Sequence, residues 1–180
     1  MNFDLYYYIG HDENHLEGYI LHDNHIIEGV LFLPESKRKV LIIGSSFKQS
    51  ENMVLFMFPN SSPVSYYRFS GNVVSEKTAK GTWQMILKGG GFFGSNILPG
   101  DNFVATINKD NNPPEDLPSQ IEALKNELCG SDRGIYDTIY QKLKDSWKKY
   151  QKSNSLAPPL LKCWGGIFLS STGCGRLFSS

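Results

Sequence analysis

Four histidines fall within one fifteen-residue stretch: His11, His15, His22 and His25. Imidazole is a common nitrogen ligand for zinc and the side chain that titrates nearest neutral pH. A hairpin turning at Asp23-Asn24, between Leu16 to His22 and His25 to Leu33, sets His22 opposite His25. Their Cβ atoms would then lie about 5 Å apart on one face, close enough to share a metal. Asp12, Glu13 or Asp23 would supply an oxygen ligand. His11 and His15 are expected in a different loop, and a polar hairpin tip with solvated histidines accounts for the same residues. A metal-dependent hydrolase using His22 and His25 is therefore the alternative reading rather than the leading one.

The other motifs that suggest chemistry lack the context that the chemistry needs. Gly89-Gly90-Gly91-Phe92-Phe93-Gly94 has the spacing of a dinucleotide-binding loop. That loop works by presenting the first N–H groups of a helix to a pyrophosphate, and Ser95-Asn96-Ile97-Leu98-Pro99-Gly100 cannot continue as a long helix. A glycine-rich loop at a barrel mouth, with Phe92 and Phe93 as a lid or contact point, fits better. Ser45-Ser46-Phe47-Lys48 has the S-x-x-K spacing of penicillin-recognising enzymes, but Ser36-Lys37-Arg38-Lys39 has it too and the companion motifs are absent. Cys129, Cys163 and Cys174 are odd in number and have neither zinc nor disulfide-framework spacing. No catalytic residue and no cofactor is assigned.

Aromatic side chains are the remaining signal. Tyr6, Tyr7, Tyr8, Tyr66, Tyr67, Phe69 and Trp83 lie on expected strands, where alternate residues point to opposite faces. Those facing outward either pair across strands or form an interaction surface, for which tyrosine is well suited. The candidate ligand- or partner-binding residues are Tyr6, Tyr8, Tyr66, Trp83, Phe92 and Phe93.

The elements that would position these groups follow from periodicity. Phe3, Leu5, Tyr7 and Ile9 alternate with Asp4, Tyr6 and Tyr8. Strands are also expected over Val40 to Gly44, Met53 to Phe58, Val64 to Ser70, Thr82 to Lys88 and Phe103 to Ile107. The apolar run Met53 to Phe58 suggests a strand covered on both faces. About eight strands with Gly, Pro and Asn between them imply an antiparallel sandwich or barrel over residues 1–108, mainly β and α+β overall. After Asn111-Asn112-Pro113-Pro114 the period becomes helical. Leu117, Ile121, Leu124 and Leu128 form one stripe, with Gly130 as its stop. Ser131 or Asp132 is positioned to cap a second helix bearing Tyr136, Tyr140, Leu143 and Trp147, with Ile135 and Ile139 beside them. A helical hairpin over 115–152 is thus expected to pack on the β domain, followed by a Gly-rich basic tail over 153–180.

Charge and composition narrow the function classes. The 18 Lys and Arg balance the 18 Asp and Glu, so no long-range field favours nucleic acid. No acidic residue follows Asp145, while Lys148, Lys149, Lys152, Lys162 and Arg176 do, which suits a solvated helix end or, alternatively, a lipid surface. No apolar stretch approaches the roughly 20 residues of a membrane helix, and the N-terminus shows no secretory leader. The expectation is a cytoplasmic protein, or a secreted or effector-like one if a leader has been removed or a non-Sec route is used.

Tyr6-Tyr7-Tyr8-Ile9-Gly10, Asn24-His25-Ile26-Ile27-Glu28-Gly29 running into Val30-Leu31-Phe32-Leu33, and Lys39-Val40-Leu41-Ile42-Ile43-Gly44-Ser45 follow one another with short turns. With Tyr67-Arg68-Phe69-Ser70-Gly71 and Lys80-Gly81-Thr82-Trp83 they resemble a family of small avidin- or lipocalin-like β-barrel domains of uncharacterised bacterial proteins and lipoproteins. The resemblance covers about half the chain, and the helical segment is additional to it. It implies a meander barrel whose strand glycines let the sheet bend, with the tryptophan at the barrel end. It implies no reaction. The leading expectation is a non-enzymatic binding module that recognises a protein partner, in an inhibitor, immunity or host-interaction role, or holds a small apolar ligand in the barrel.

Overall fold

The computed structural model describes residues 1–23, 25–34, 36, 38–45, 52–61, 63–88, 96–108, 112–128 and 130–155, of 153–155 the backbone only. Eight strands run in chain order: β1 Asn2–Ile9, β2 Asp12–Asp23, β3 Ile26–Phe32, β4 Lys39–Ser45, β5 Asn52–Phe58, β6 Val64–Ser75, β7 Thr78–Leu87 and β8 Ile97–Asn108. Each pairs antiparallel with the next, and β8 returns to pair with β1 from Asn2↔Asn108 to Tyr7↔Phe103. The sheet is therefore a closed barrel rather than a sandwich, which leaves no strand edge unpaired.

The period-two pattern explains the inside of the barrel. Phe3, Leu5 and Tyr7 of β1 point inward, as do Leu16 and Ile20 of β2, Met53, Leu55 and Met57 of β5, Phe69 and Val73 of β6, and Phe103, Ala105 and Ile107 of β8. Most of these are almost wholly removed from solvent. The barrel axis is thus occupied by the protein's own side chains, and their burial stabilises it by about 25 cal/mol per Å2 of apolar surface.

A second cluster lies outside the barrel wall. Ile26 and Val30 of β3, Leu41 and Ile43 of β4 and Phe58 of β5 face outward and meet two helices, α1 Leu117–Glu127 and α2 Gly130–Ser155. Leu117, Ile121, Leu128 and Tyr136 are the helix side chains buried against them. This makes β3 and β4, rather than β5, the strands most fully covered on both faces. On β5 the inward positions alternate with half-buried Val54 and Phe56.

Polar anchors fix the helices in place. Glu28 of β3 accepts a hydrogen bond from the Tyr136 hydroxyl and lies 2.9 Å from the Lys125 ammonium. Burial, and then the Glu28 contact, push the Tyr136 phenol far above its ordinary range. Asp132, 1% exposed at its side chain, accepts from the Ser65 hydroxyl at 2.7 Å and pairs with Lys88 at 2.8 Å. Asn60 Nδ2 donates to the Glu127 carbonyl at 3.0 Å, satisfying an acceptor at the end of α1.

Three local expectations are corrected. Gly130, with φ +30°, opens α2 instead of stopping α1; α1 ends at Glu127, where Leu128 is extended. Neither Ser131 nor Asp132 precedes α2 as a cap: both lie within its first turn, where Ser65 and Lys88 claim the buried Asp132 carboxylate. The expected strands 82–88 and 103–107 begin earlier, at Thr78 and Ile97, since β7 and β8 pair along their whole lengths with a bulge between Thr82 and Gln84. The chain divides into compact units Met1–Lys144 and Asp145–Ser180; in the second, Trp147 stacks on Tyr150 with ring centroids 5.4 Å apart. Most of the expected tail lies outside the described residues.

Candidate interaction face

The outward positions of β1 and of the first half of β2, up to Glu17, form a face outside the helix-covered cluster, which takes Tyr19 and Leu21 from the rest of β2. Among the described residues packed with α1 and α2, none comes from β7, β8 or β1. Since Phe3, Leu5 and Tyr7 point inward, alternation sends Asp4, Tyr6 and Tyr8 outward. The β1–β2 register sets Asp4 opposite Glu17, Tyr6 opposite His15 and Tyr8 opposite Glu13. Tyr6 stacks flat on His15, with ring centroids 4.2 Å apart. His15 Nε2 lies 3.1 Å from Asp4 Oδ1. The Tyr8 hydroxyl donates to Glu13, and that hydrogen bond raises the Tyr8 pKa. Gly10 N–H donates to Asp101 Oδ2 at 2.8 Å, tying the β1–β2 turn to β8.

This face is acidic. Asp4, Glu13 and Glu17 project from it, and no lysine or arginine precedes Lys37 in the chain. The signal was present in the sequence, but a whole-chain charge of zero hides it, because all 18 Lys and Arg lie after residue 36. The helix side carries the compensating Lys88 and Lys125 in its ion pairs.

The expected binding residues are distributed over different surroundings. Tyr6 and Tyr8 lie on the uncovered face, half-buried. Tyr66 points outward from β6 but packs beside Phe56 and Phe58 in the helix-covered cluster, 5.9 and 5.7 Å between centroids. Trp83 is inside the barrel, 4% exposed, where its indole N–H donates to the Tyr8 carbonyl at 2.9 Å. It meets Tyr7 and Tyr67 at 5.5 and 5.8 Å. Burial first, and then the neighbouring Tyr67, push the Tyr7 phenol up to about 12. Phe92 and Phe93 lie outside the described residues, as does most of the glycine-rich loop.

The histidine pair is not assembled as expected. His22 pairs with Ile27 and Asp23 with Ile26, so the paired strands extend to Asp23 and Ile26 and His25, with φ +130°, falls beyond the ladder. The reason lies in the barrel wall. This register sets Gly18 beside Leu31 and Gly29 beside Ile20. The Asp23-Asn24 turn would set Gly18 opposite Gly29 and Ile20 opposite Ile27, leaving a void at one level and a crowd at the next. The cross-strand contact on which the His22 and His25 metal expectation rested is thus not formed. His15, expected in a loop, sits within β2.

A cleft of about 310 Å3 opens beside this face, lined by Tyr7, Glu13, Asn14, His15 and Leu16 of β1 and β2 and by Leu33, Pro34 and Ser36 after β3. It is an opening at the barrel rim rather than a chamber along the axis. No helix among the described residues is long and apolar enough to cross a membrane. No family model, no curated protein and no solved structure matches the chain, so its site is read from its own geometry.

Proposed function

We propose that this protein is a non-enzymatic interaction module, built on a meander barrel of the avidin- or lipocalin-like kind, that recognises a protein partner through the outer face of β1 and β2. The observation that carries this reading is the division of labour between the two sides of the wall. The barrel interior is filled by its own side chains, and one outer side is covered by helices. The uncovered side presents Tyr6, Tyr8 and a run of carboxylates. Amphipathic aromatics amid complementary charge are what a protein interface uses for anchoring and steering. The partner implied is one with a basic surface. A small apolar ligand would be confined to the rim cleft beside Tyr7 and Leu33.

The test compares capture from cells of the source organism by wild type, by Tyr6→Ser/Tyr8→Ser and by Val74→Ser, an exposed apolar control at 54%. The expected result is a specific partner retained by wild type and by the control and lost by the double variant. Equal capture by all three, or by none, would overturn the reading.

A further inference from the structure

We propose that Asp4, His15 and Glu17 form a surface site for a single divalent transition-metal ion, zinc being the best match to its donors. One ligand atom from each of the three lies within 4.8 Å of those of the other two. The register explains the convergence. Asp4 and Glu17 are directly opposite across β1 and β2, and His15, two residues from Glu17 on the same strand, projects from the same face. The 3.1 Å separation of His15 Nε2 and Asp4 Oδ1 is close to the edge of a tetrahedral zinc site, about 3.3 Å for bonds near 2.05 Å. Nε2 then exchanges its hydrogen bond to Asp4 for the metal, and Glu17, exposed at the surface, swings in to complete three protein ligands.

Two further observations favour a cation here. Like charges directly opposite on neighbouring strands destabilise a sheet, and Asp4 and Glu17 are such a pair. Among the described residues Glu17 has no hydrogen-bond or ion-pair partner, and Asp4 is paired only with His15. The Tyr6 ring, stacked at 0° on the imidazole, fixes the plane in which Nε2 points, so little side-chain freedom is lost when the ion binds. A mixed nitrogen and oxygen set suits zinc, whereas magnesium and calcium take oxygen ligands. Three protein ligands leave a fourth position open to water or to a donor from another molecule. This site does not depend on the partner-binding reading, and either can fail without the other.

The experiment is calorimetric titration of the untagged protein with zinc chloride alone, with His15→Ala, Asp4→Asn and His22→Ala/His25→Ala in parallel. Thermal melting confirms that each variant is folded. One zinc per chain is expected for wild type and for the His22/His25 variant, with affinity falling about tenfold or more in His15→Ala and in Asp4→Asn. In nitrogen-15 spectra of the histidine rings, zinc should move Nε2 of His15 and leave the other three histidines in place. Absence of stoichiometric binding, binding that survives both His15→Ala and Asp4→Asn, or binding lost in the His22/His25 variant would each overturn the assignment.

Discussion

Trp83 and Gly100 show how tightly single residues are held at the rim of the barrel. A Cβ built on Gly100 would stand 2.1 Å from Trp83 Cε2 and 2.4 Å from Cζ2, so no side chain fits between strand β8 and the indole. The ring cannot retreat, because it is 4% exposed and its N–H is committed to the Tyr8 carbonyl. Gly100→Ala should therefore cost about 1–3 kcal/mol in denaturant unfolding and shift the indole emission. Trp83→Phe keeps an aromatic but strands the Tyr8 carbonyl, and should cost about 1–3 kcal/mol by the same measurement. Tyr7, beside it, gives a pH dependence whose sign is fixed. Burial pushes its phenol up to about 12 in the folded chain, against about 10 for an exposed tyrosine in the unfolded chain. The unfolded chain loses this proton first, so stability should fall as pH rises between those two values. Tyrosinate absorbance, followed alongside unfolding midpoints, checks both the late titration and the loss of stability. A midpoint insensitive to pH across that window would show that Tyr7 is not buried as described.

At the scale of elements, the helices are held by ion pairs as well as by their apolar stripe. Lys88 is 29% exposed and Asp132 1%, so the two members of the pair are not equivalent. Removing the lysine strands a buried carboxylate, whereas removing the carboxylate leaves a lysine that water can reach. Lys88→Met should cost about 3 kcal/mol and Asp132→Asn distinctly less, as measured by urea unfolding. The reverse order would show that the pair is solvated and that α2 is held by Tyr136 and its apolar neighbours alone. These anchors lie beyond what sequence patterning reaches. Leu117, Ile121, Leu128 and Tyr136 are legible as helix stripes because the 3.6-residue period is local. The pairing of Asp132 with Ser65 joins positions 67 residues apart, and no local pattern encodes it. The same limit explains the hairpin. A turn at Asp23-Asn24 and the register that pairs Asp23 with Ile26 satisfy local sequence preferences about equally. Only the packing of Leu31 and Ile20 against Gly18 and Gly29 on the barrel wall decides between them.

At the scale of the molecule, eight antiparallel strands followed by two helices were legible from alternation and punctuation, because every strand has an inward face that reads as apolar. Closure into a barrel was not legible, since a sandwich has the same pattern; it rests on β8 returning to β1. The candidate face was half legible. Tyr6 and Tyr8 follow from the alternation of β1, but Tyr66 and Trp83 were drawn to the helices and to the interior by contacts that only the closed wall creates. The acidic character of the face follows from the absence of lysine and arginine before Lys37. It implies that the on-rate for a basic partner falls as salt rises, while unfolding midpoints change little; stopped-flow binding at several ionic strengths would read this directly. A rate indifferent to salt would remove charge from the recognition.

The central claim is that recognition lies on the outside of β1 and β2 and not within the barrel. A photo-activated benzophenone side chain placed at Tyr8, and separately at Val74, tests it inside the source cells. The account predicts a discrete cross-linked species from the Tyr8 position and none from Val74. The same species from both positions, or no adduct at Tyr8 while the protein still captures its partner, would contradict it.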